Sequence, residues 1–190
     1  MDPMKLEKFE KRATSLRLFA LENSPIYGRF NFQHLQKMHK YIFQDVYEWA
    51  GKIREEDIFK GETMFARTLF IQNVSKDIFR SLSGEKNLKG LMVDEFCQRA
   101  AHYHAEINML HPFREGNGRT QREFIRTLAL NAGYELNWKH LDKETILKAT
   151  IKSITDTKDL QEVIFSCISN HQPDKSLTRF YQSCDVDRGR

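Results

Sequence analysis

No run of apolar residues in the 190-residue chain approaches the length of a membrane span, and its opening, MDPMKLEKFEKR, lacks the apolar core of a signal peptide. The expectation is a protein that is cytoplasmic where it is made and has no membrane partner. Cysteine is scarce: Cys97, Cys167 and Cys184 form no C-x-x-C pair, and any single pairing leaves one over. That argues against a disulfide framework or a cysteine zinc site and for a reduced compartment. A large excess of one charge is lacking as well, because 30 basic residues against 26 acidic ones leave a formal +4. So small a bias tolerates anionic ligands without announcing a nucleic-acid binder. Internal repeats and low-complexity tracts are absent. What remains is ordinary globular material, 40% hydrophobic and 29% charged, enough for one domain with or without a tail.

The helical period dominates. In FNFQHLQKMHKYIFQDVYEWAG, the residues Leu35, Met38, Ile42, Phe43, Val46 and Trp49 fall on one stripe, with Asn31 as N-cap and Gly51 as the stop. VDEFCQRAAHYHAEINML repeats Cys97, Ala100, His104 and Ile107 at helical steps, with Asp94 as its cap. Further helices are expected at KLEKFEKRATSLRLFALEN, at RTQREFIRTLALNAG up to Gly133, at DKETILKATIKSI and at DLQEVIFSCI. One segment breaks the pattern: Lys60-Gly61-Glu62 separates DIF from TMFA, which predicts a small hairpin. The last stretch, HQPDKSLTRFYQSCDVDRGR, has little periodicity and reads as a tail. The fold class is mainly α, a helical bundle with one β-hairpin.

Polar chemistry concentrates in HPFREGNGRTQR, residues 111–122. Gly116 and Gly118 allow consecutive N–H groups to converge on an anion, and a helix starting at Asn117 or Gly118 points its dipole into the same space. Arg119 and Arg122 are three apart and share a helix face, so two guanidinium forks can grip neighbouring phosphates. Glu115 supplies a hard oxygen ligand beside those phosphates for Mg²⁺. His111, at the end of the preceding helix, can be a base that titrates near neutral pH. Each piece has a plainer reading: a turn, a helix cap, a solvated face. Together they describe phosphoryl or nucleotidyl transfer.

Competing chemistries find less support. His102 and His104 lie about 200° apart on a helix and cannot share a zinc ion. His104 is expected to be a hydrogen-bonded core residue and His102 to be exposed. H-E-x-x-H, the nucleotide-binding G-x-x-x-x-G-K-(S/T) and the kinase HRD and DFG elements are all missing. The non-enzymatic alternative is a nucleic-acid-binding module using Arg114, Arg119, Arg122 and Arg126; acids nearly as numerous as bases count against it.

The loop resembles the signature of the Fic family, H-x-F-x-(D/E)-G-N-G-R-x-x-R, at every specified position: His111, Phe113, Glu115, Gly116, Asn117, Gly118, Arg119 and Arg122. YIFQDVYEWAGKIR, DIFKGETMFA and AHYHAEINMLHPF are similar to the family's core as well, so the likeness covers about residues 27–140. The resemblance implies a helical extension at 1–26, a Fic domain at 27–170 and a tail at 171–190. It implies a protein adenylyltransferase that moves AMP from ATP to a Tyr, Thr or Ser hydroxyl and releases pyrophosphate, with phosphotransfer as the alternative. His111 would be the base, Glu115 the Mg²⁺ ligand, and Asn117 with the Gly116–Gly118 backbone the anion hole. Arg119 would meet the β-phosphate and Arg122 the γ-phosphate, with Thr120 and Gln121 counted in the phosphate-binding set. Phe113 would anchor the loop. The hairpin would be the family's flap, with Lys60 and Gly61 over the nucleotide and Thr63, Met64, Phe65 and Ala66 docking the target.

The target implied is a type II topoisomerase subunit, as for short toxin members, or a host protein, as for secreted effectors. Many Fic proteins are held off by a helix carrying (S/T)-x-x-x-E-(G/N), whose glutamate pairs with the second motif arginine. Here Glu precedes Gly or Asn only at Glu22 and Glu115, with Leu18 and His111 four residues earlier. The nearest relaxed match, Ser81 to Glu85, ends in Lys86 and is expected to lie in a loop. A small antitoxin-like partner is therefore expected to supply the glutamate in trans.

Overall fold

The computed structural model describes residues 3–61 and 63–184. Glu62 of the expected hairpin turn, and residues 185–190 of the expected tail, lie outside the described residues.

Among the described residues eight α-helices follow in order: α1 (Pro3–Asn23), α2 (Phe32–Phe43), α3 (Ile71–Gly84), α4 (Val93–Leu110), α5 (Asn117–Ala132), α6 (Lys143–Lys152), α7 (Lys158–Cys167) and α8 (Lys175–Ser183). The mainly helical class is as the periodicity predicts. Helices α4 and α5 form the centre. Eleven of the 18 residues of α4 and twelve of the 16 of α5 are buried, which leaves neither with a wide solvent face. Helices α3 and α7 pack on α4, while α2 and α8 pack on α5. Phe124 of α5 meets Phe30, His34 and Phe79, so one aromatic cluster joins three elements. The hairpin has two short strands, β1 (Phe59–Lys60) and β2 (Thr63–Met64), paired antiparallel with Phe59 opposite Met64 and Lys60 opposite Thr63.

Several local expectations change. Helix α2 stops at Phe43 rather than continuing toward Gly51, because the chain turns back on itself and Gly51 packs against Lys40. Val46 and Trp49 belong to that turn, where Tyr47 stacks on Trp49 at 4.3 Å. Helix α4 starts earlier than Asp94: Met92 holds the cap position, and Asp94 and Glu95 complement the first-turn dipole instead. Helix α3 is not among the helices expected, although Ile71, Ile78, Phe79 and Leu82 recur at helical spacing within it. Part of the expected tail is helix α8, started by Asp174, whose carboxylate accepts from the Ser176 N–H. It seats Tyr181 fully inside the protein, where the tyrosine hydroxyl accepts from the Gly28 N–H at 3.1 Å. Ser81 is not in a loop but in α3, and Glu85 at its C-cap pairs with Arg99 at 2.6 Å.

Candidate active site

His111 caps the C-terminus of α4 in the left-handed region, at φ 41° and ψ 58°. Pro112 follows, and with no N–H to donate it cannot continue the helix. The imidazole Nδ1 lies 3.2 Å from the Asn108 carbonyl, so Nδ1 carries the proton and Nε2 keeps its lone pair. Phe65 stacks on the ring at 3.9 Å. Burial first, and the Lys60 charge second, push the imidazole down to about 4. That lies below the near-neutral range the sequence suggests, and it leaves the imidazole uncharged at physiological pH.

His111 lines a small cleft together with Ile58, Lys60, Arg114, Glu115, Asn117 and Gly118. Helix α5 opens onto it. Its cap residue is Gly116, at φ 80°, and offers no side-chain oxygen to the first turn. A Cβ at Gly116 would sit 2.1 Å from Phe43, so the position admits only glycine on two counts. Asn117 does its work by closing the loop: Oδ1 accepts from the Phe113 N–H at 2.9 Å and Nδ2 donates to the Phe113 carbonyl at 2.7 Å. Phe113 is buried as the anchor expected of it. Gly118 lies beside Arg122, whose Nη1 would be 3.5 Å from an added Cβ.

The remaining expected site residues divide. The Glu115 side chain is 56% exposed, its Oε1 accepting from the Gly116 N–H at 2.8 Å and lying 3.7 Å from Arg119. Lys60 is exposed on the hairpin above the cleft, and Gly61 forms the turn. Arg122 is half-buried, and among the described residues no carboxylate pairs with it. Arg119 is held away from the cleft by α1, with Nη2 2.5 Å from Glu10 and Nη1 3.1 Å from Thr14. Thr120 and Gln121 turn inward: Thr120 Oγ1 donates to the Gly116 carbonyl and Gln121 Nε2 to the Ile107 carbonyl. Both lie on the face of α5 that packs on the core, which explains why neither side chain reaches the cleft. Thr63 is half-buried and Met64 exposed. Phe65 is buried against His111 rather than offered to a partner, and Ala66 is tied to α4 through its N–H and the Met109 carbonyl at 2.9 Å.

The histidines of HYHAE part as helical geometry demands, but their surroundings differ from expectation. His104 is 1% exposed and neither ring nitrogen has a partner among the described residues; His102 is half-buried. The nucleic-acid alternative weakens, because Arg126 is committed to Glu123 and the Leu21 carbonyl just as Arg119 is to Glu10.

Two residues that support this site are not evident from the sequence. His39 accepts the Gly51 N–H at Nδ1 (2.8 Å) and donates from Nε2 to the Glu115 carbonyl (2.9 Å). It stacks on Phe113 at 3.8 Å, and burial pushes it down to about 4, which keeps it neutral. A polar residue on the apolar stripe of α2 was the available signal. The other is Arg54, buried between the hairpin and the His111 loop.

The Fic/DOC family profile matches residues 29–129. The chain belongs to the Fic/DOC family. It is 43% identical over 186 residues to the protein adenylyltransferase VbhT of Bartonella schoenbuchensis, a match covering 98% of this chain and 37% of that protein. The chain thus spans well under half the length of that relative. The probable protein adenylyltransferase Fic of Escherichia coli K12 is 36% identical over 162 residues, covering 85% of this chain and 80% of its own. Among solved structures, BepC of Bartonella tribocorum with bound AMPPNP superposes with a TM-score of 0.84 at 25% identity, covering 90% of each chain. A Fic domain from Bartonella quintana with bound ADP gives 0.83 at 27% identity, over 93% of this chain and 89% of that one.

Proposed function

We propose that this Fic-family chain is a protein adenylyltransferase, transferring AMP from ATP to a hydroxyl of a target protein. One observation carries the reading: a neutral His111, its Nε2 lone pair free of the Asn108 contact, shares a cleft with Glu115, Asn117, Gly118 and Lys60 at the start of α5. The family relationship to proteins named adenylyltransferases, and the likeness to Fic domains holding AMPPNP or ADP, support it.

In the reaction, Nε2 of His111 takes the proton of the target hydroxyl as its oxygen attacks the α-phosphorus. The bond from that phosphorus to the bridging oxygen breaks and pyrophosphate leaves. The N–H groups opening α5 stabilise the charge that develops on the phosphoryl oxygens. Arg122 meets the γ-phosphate, and Arg119 turns from Glu10 to the β-phosphate. Glu115, exposed and next to the cleft, suits a cation that keeps most of its ligands as water and phosphate oxygens. Mg²⁺ held there would neutralise triphosphate charge. Gly118 leaves room for Arg122, which favours AMP transfer over phosphotransfer.

The target is a type II topoisomerase subunit or a host protein, the second placing the protein in host cells as an effector. An antitoxin-like partner presenting a glutamate to Arg122 is the proposed restraint, since no carboxylate among the described residues pairs with that arginine. Incubation with cell lysate and either α- or γ-labelled ATP tests the chemistry. Label entering protein from the α position alone supports AMP transfer, whereas label from the γ position alone replaces it with phosphotransfer.

A further inference from the structure

Arg54 lies 57 residues before His111 and is not part of the signature loop, yet its side chain is 2% exposed and reaches three separate stretches of chain. Nε donates to the His111 carbonyl at 2.8 Å. Nη1 donates to the Glu56 carbonyl at 2.6 Å, and Nη2 donates to the Ala66 carbonyl. The Arg54 backbone N–H adds a fourth bond, to the Pro112 carbonyl at 2.9 Å. The nearest carboxylate, Asp57, stands 3.9 Å away and is itself engaged by Thr68 and Arg67. Three carbonyl oxygens within hydrogen-bond reach thus join the Asp57 charge in compensating this buried cation.

These three carbonyls are not arbitrary. Glu56 and Ala66 are the two ends of the segment that carries the hairpin, so one planar guanidinium closes that segment at its base. The third carbonyl belongs to the base itself. A histidine at positive φ is uncommon and persists where its surroundings hold it. Ala66 also follows Phe65, the ring stacked on the imidazole. A single side chain thus fixes the backbone of His111, the plate against its ring and the two ends of the hairpin.

We propose that Arg54 is a positioning residue that locks the hairpin and His111 into one frame, so that a hydroxyl presented along the hairpin arrives in register with Nε2. The inference rests on the adenylyl-transfer reading for its catalytic consequence, but its structural half needs no substrate. Lysine keeps the charge and loses the fork, since one ammonium nitrogen cannot stand in for Nε, Nη1 and Nη2, which reach three carbonyls from three separate positions.

The test compares Arg54→Lys and Arg54→Met with the parent chain in two measurements. The first is transfer of label from α-labelled ATP to lysate proteins, analysed for kcat and for the ATP KM. The second is amide hydrogen exchange, comparing residues 56–66 with α4 and α5. Expected for Arg54→Lys is a kcat lower on the order of 10- to 100-fold, the cost of a misplaced reacting pair, with the ATP KM within about twofold. Exchange should quicken across 56–66 while α5 stays protected, and Arg54→Met should exceed Arg54→Lys on both counts. Parental kcat and parental exchange in the two variants overturn the proposal. So does a loss spread evenly over α4, α5 and the hairpin, which marks Arg54 as general fold support. If the parent chain itself transfers no label, the adenylyl-transfer reading fails, and exchange at 56–66 still decides whether Arg54 locks the hairpin.

Discussion

Glu10 of α1 and Arg119 of α5, 109 residues apart in the chain, meet at 2.5 Å. The contact is reinforced by Thr14 on the same guanidinium and by Tyr47, whose hydroxyl donates to the other Glu10 oxygen. Arg119 further lies over the Phe43 ring, with its guanidinium carbon 4.7 Å from the ring centre. The first arginine of the signature is thus engaged within the protein itself.

Glu10→Gln should separate the two uses of Arg119. A neutral amide holds the guanidinium less tightly, so the folded state should lose about 1–3 kcal/mol, seen as a lower denaturation midpoint. Mg-ATP should bind more tightly in the same variant, because less must be broken to free the guanidinium. Calorimetry checks both, and weaker ATP binding would assign Arg119 to fold support alone.

His111→Ala should reduce transfer on the order of 10²–10⁴-fold while leaving Mg-ATP binding nearly intact, because the α5 N-terminus and Arg122 remain. In the parent protein without nucleotide, ring NMR should place the His111 titration well below the usual 6.5, near 4. Bound triphosphate brings negative charge beside the ring and should draw that value upward. A titration that stays put on adding Mg-ATP would separate His111 from the phosphates.

Acid should destabilise this protein earlier than its carboxylates alone require. Burial pushes His39 and His111 down to about 4 and His104 to about 3, against 6.5 for an ordinary imidazole. Between those values the unfolded chain binds more protons than the folded one. Stability is therefore full above about 6.5 and is lost as the pH falls toward 4, each ring contributing a slope of at most about 1.4 kcal/mol per pH step of one. His104→Leu should make the fall of melting temperature with pH shallower. Its midpoint at neutral pH should not drop, since the replaced ring nitrogens have no partners among the described residues. An unchanged slope would remove His104 from the acid response.

Much of this was legible along the chain, for identifiable reasons. The apolar repeat of α4 and α5 and the glycine after Ala132 mark buried helices with clear ends. The signature loop is local, so its residues specify its shape directly: Asn117 closes on Phe113 only four residues away. Helix α3 was harder, because Phe70 at its start provides no side-chain cap to signal it, although Ile71, Ile78, Phe79 and Leu82 share its buried face. Helix α8 buries only Tyr181 fully, too little for a periodic pattern. Arg54, Glu10 and His39 act across separations of 57, 109 and 76 residues, which no local pattern encodes. The inward turn of Thr120 and Gln121 likewise depends on which side of α5 meets α4, a fact of packing.

The hairpin is fastened at its base and bare at its tip. Glu56 and Ala66 are tied down, whereas among the described residues nothing apart from the chain neighbours stands within 4 Å of where a Gly61 side chain would begin, and Phe59 and Met64 are 62% and 47% exposed. Substitutions at Phe59 and Met64 can therefore accumulate without disturbing the buried frame around His111, whereas Lys60, between them in the chain, lines the cleft. Change at those two exposed positions is thus decoupled from the buried ties that Arg54 makes at the base.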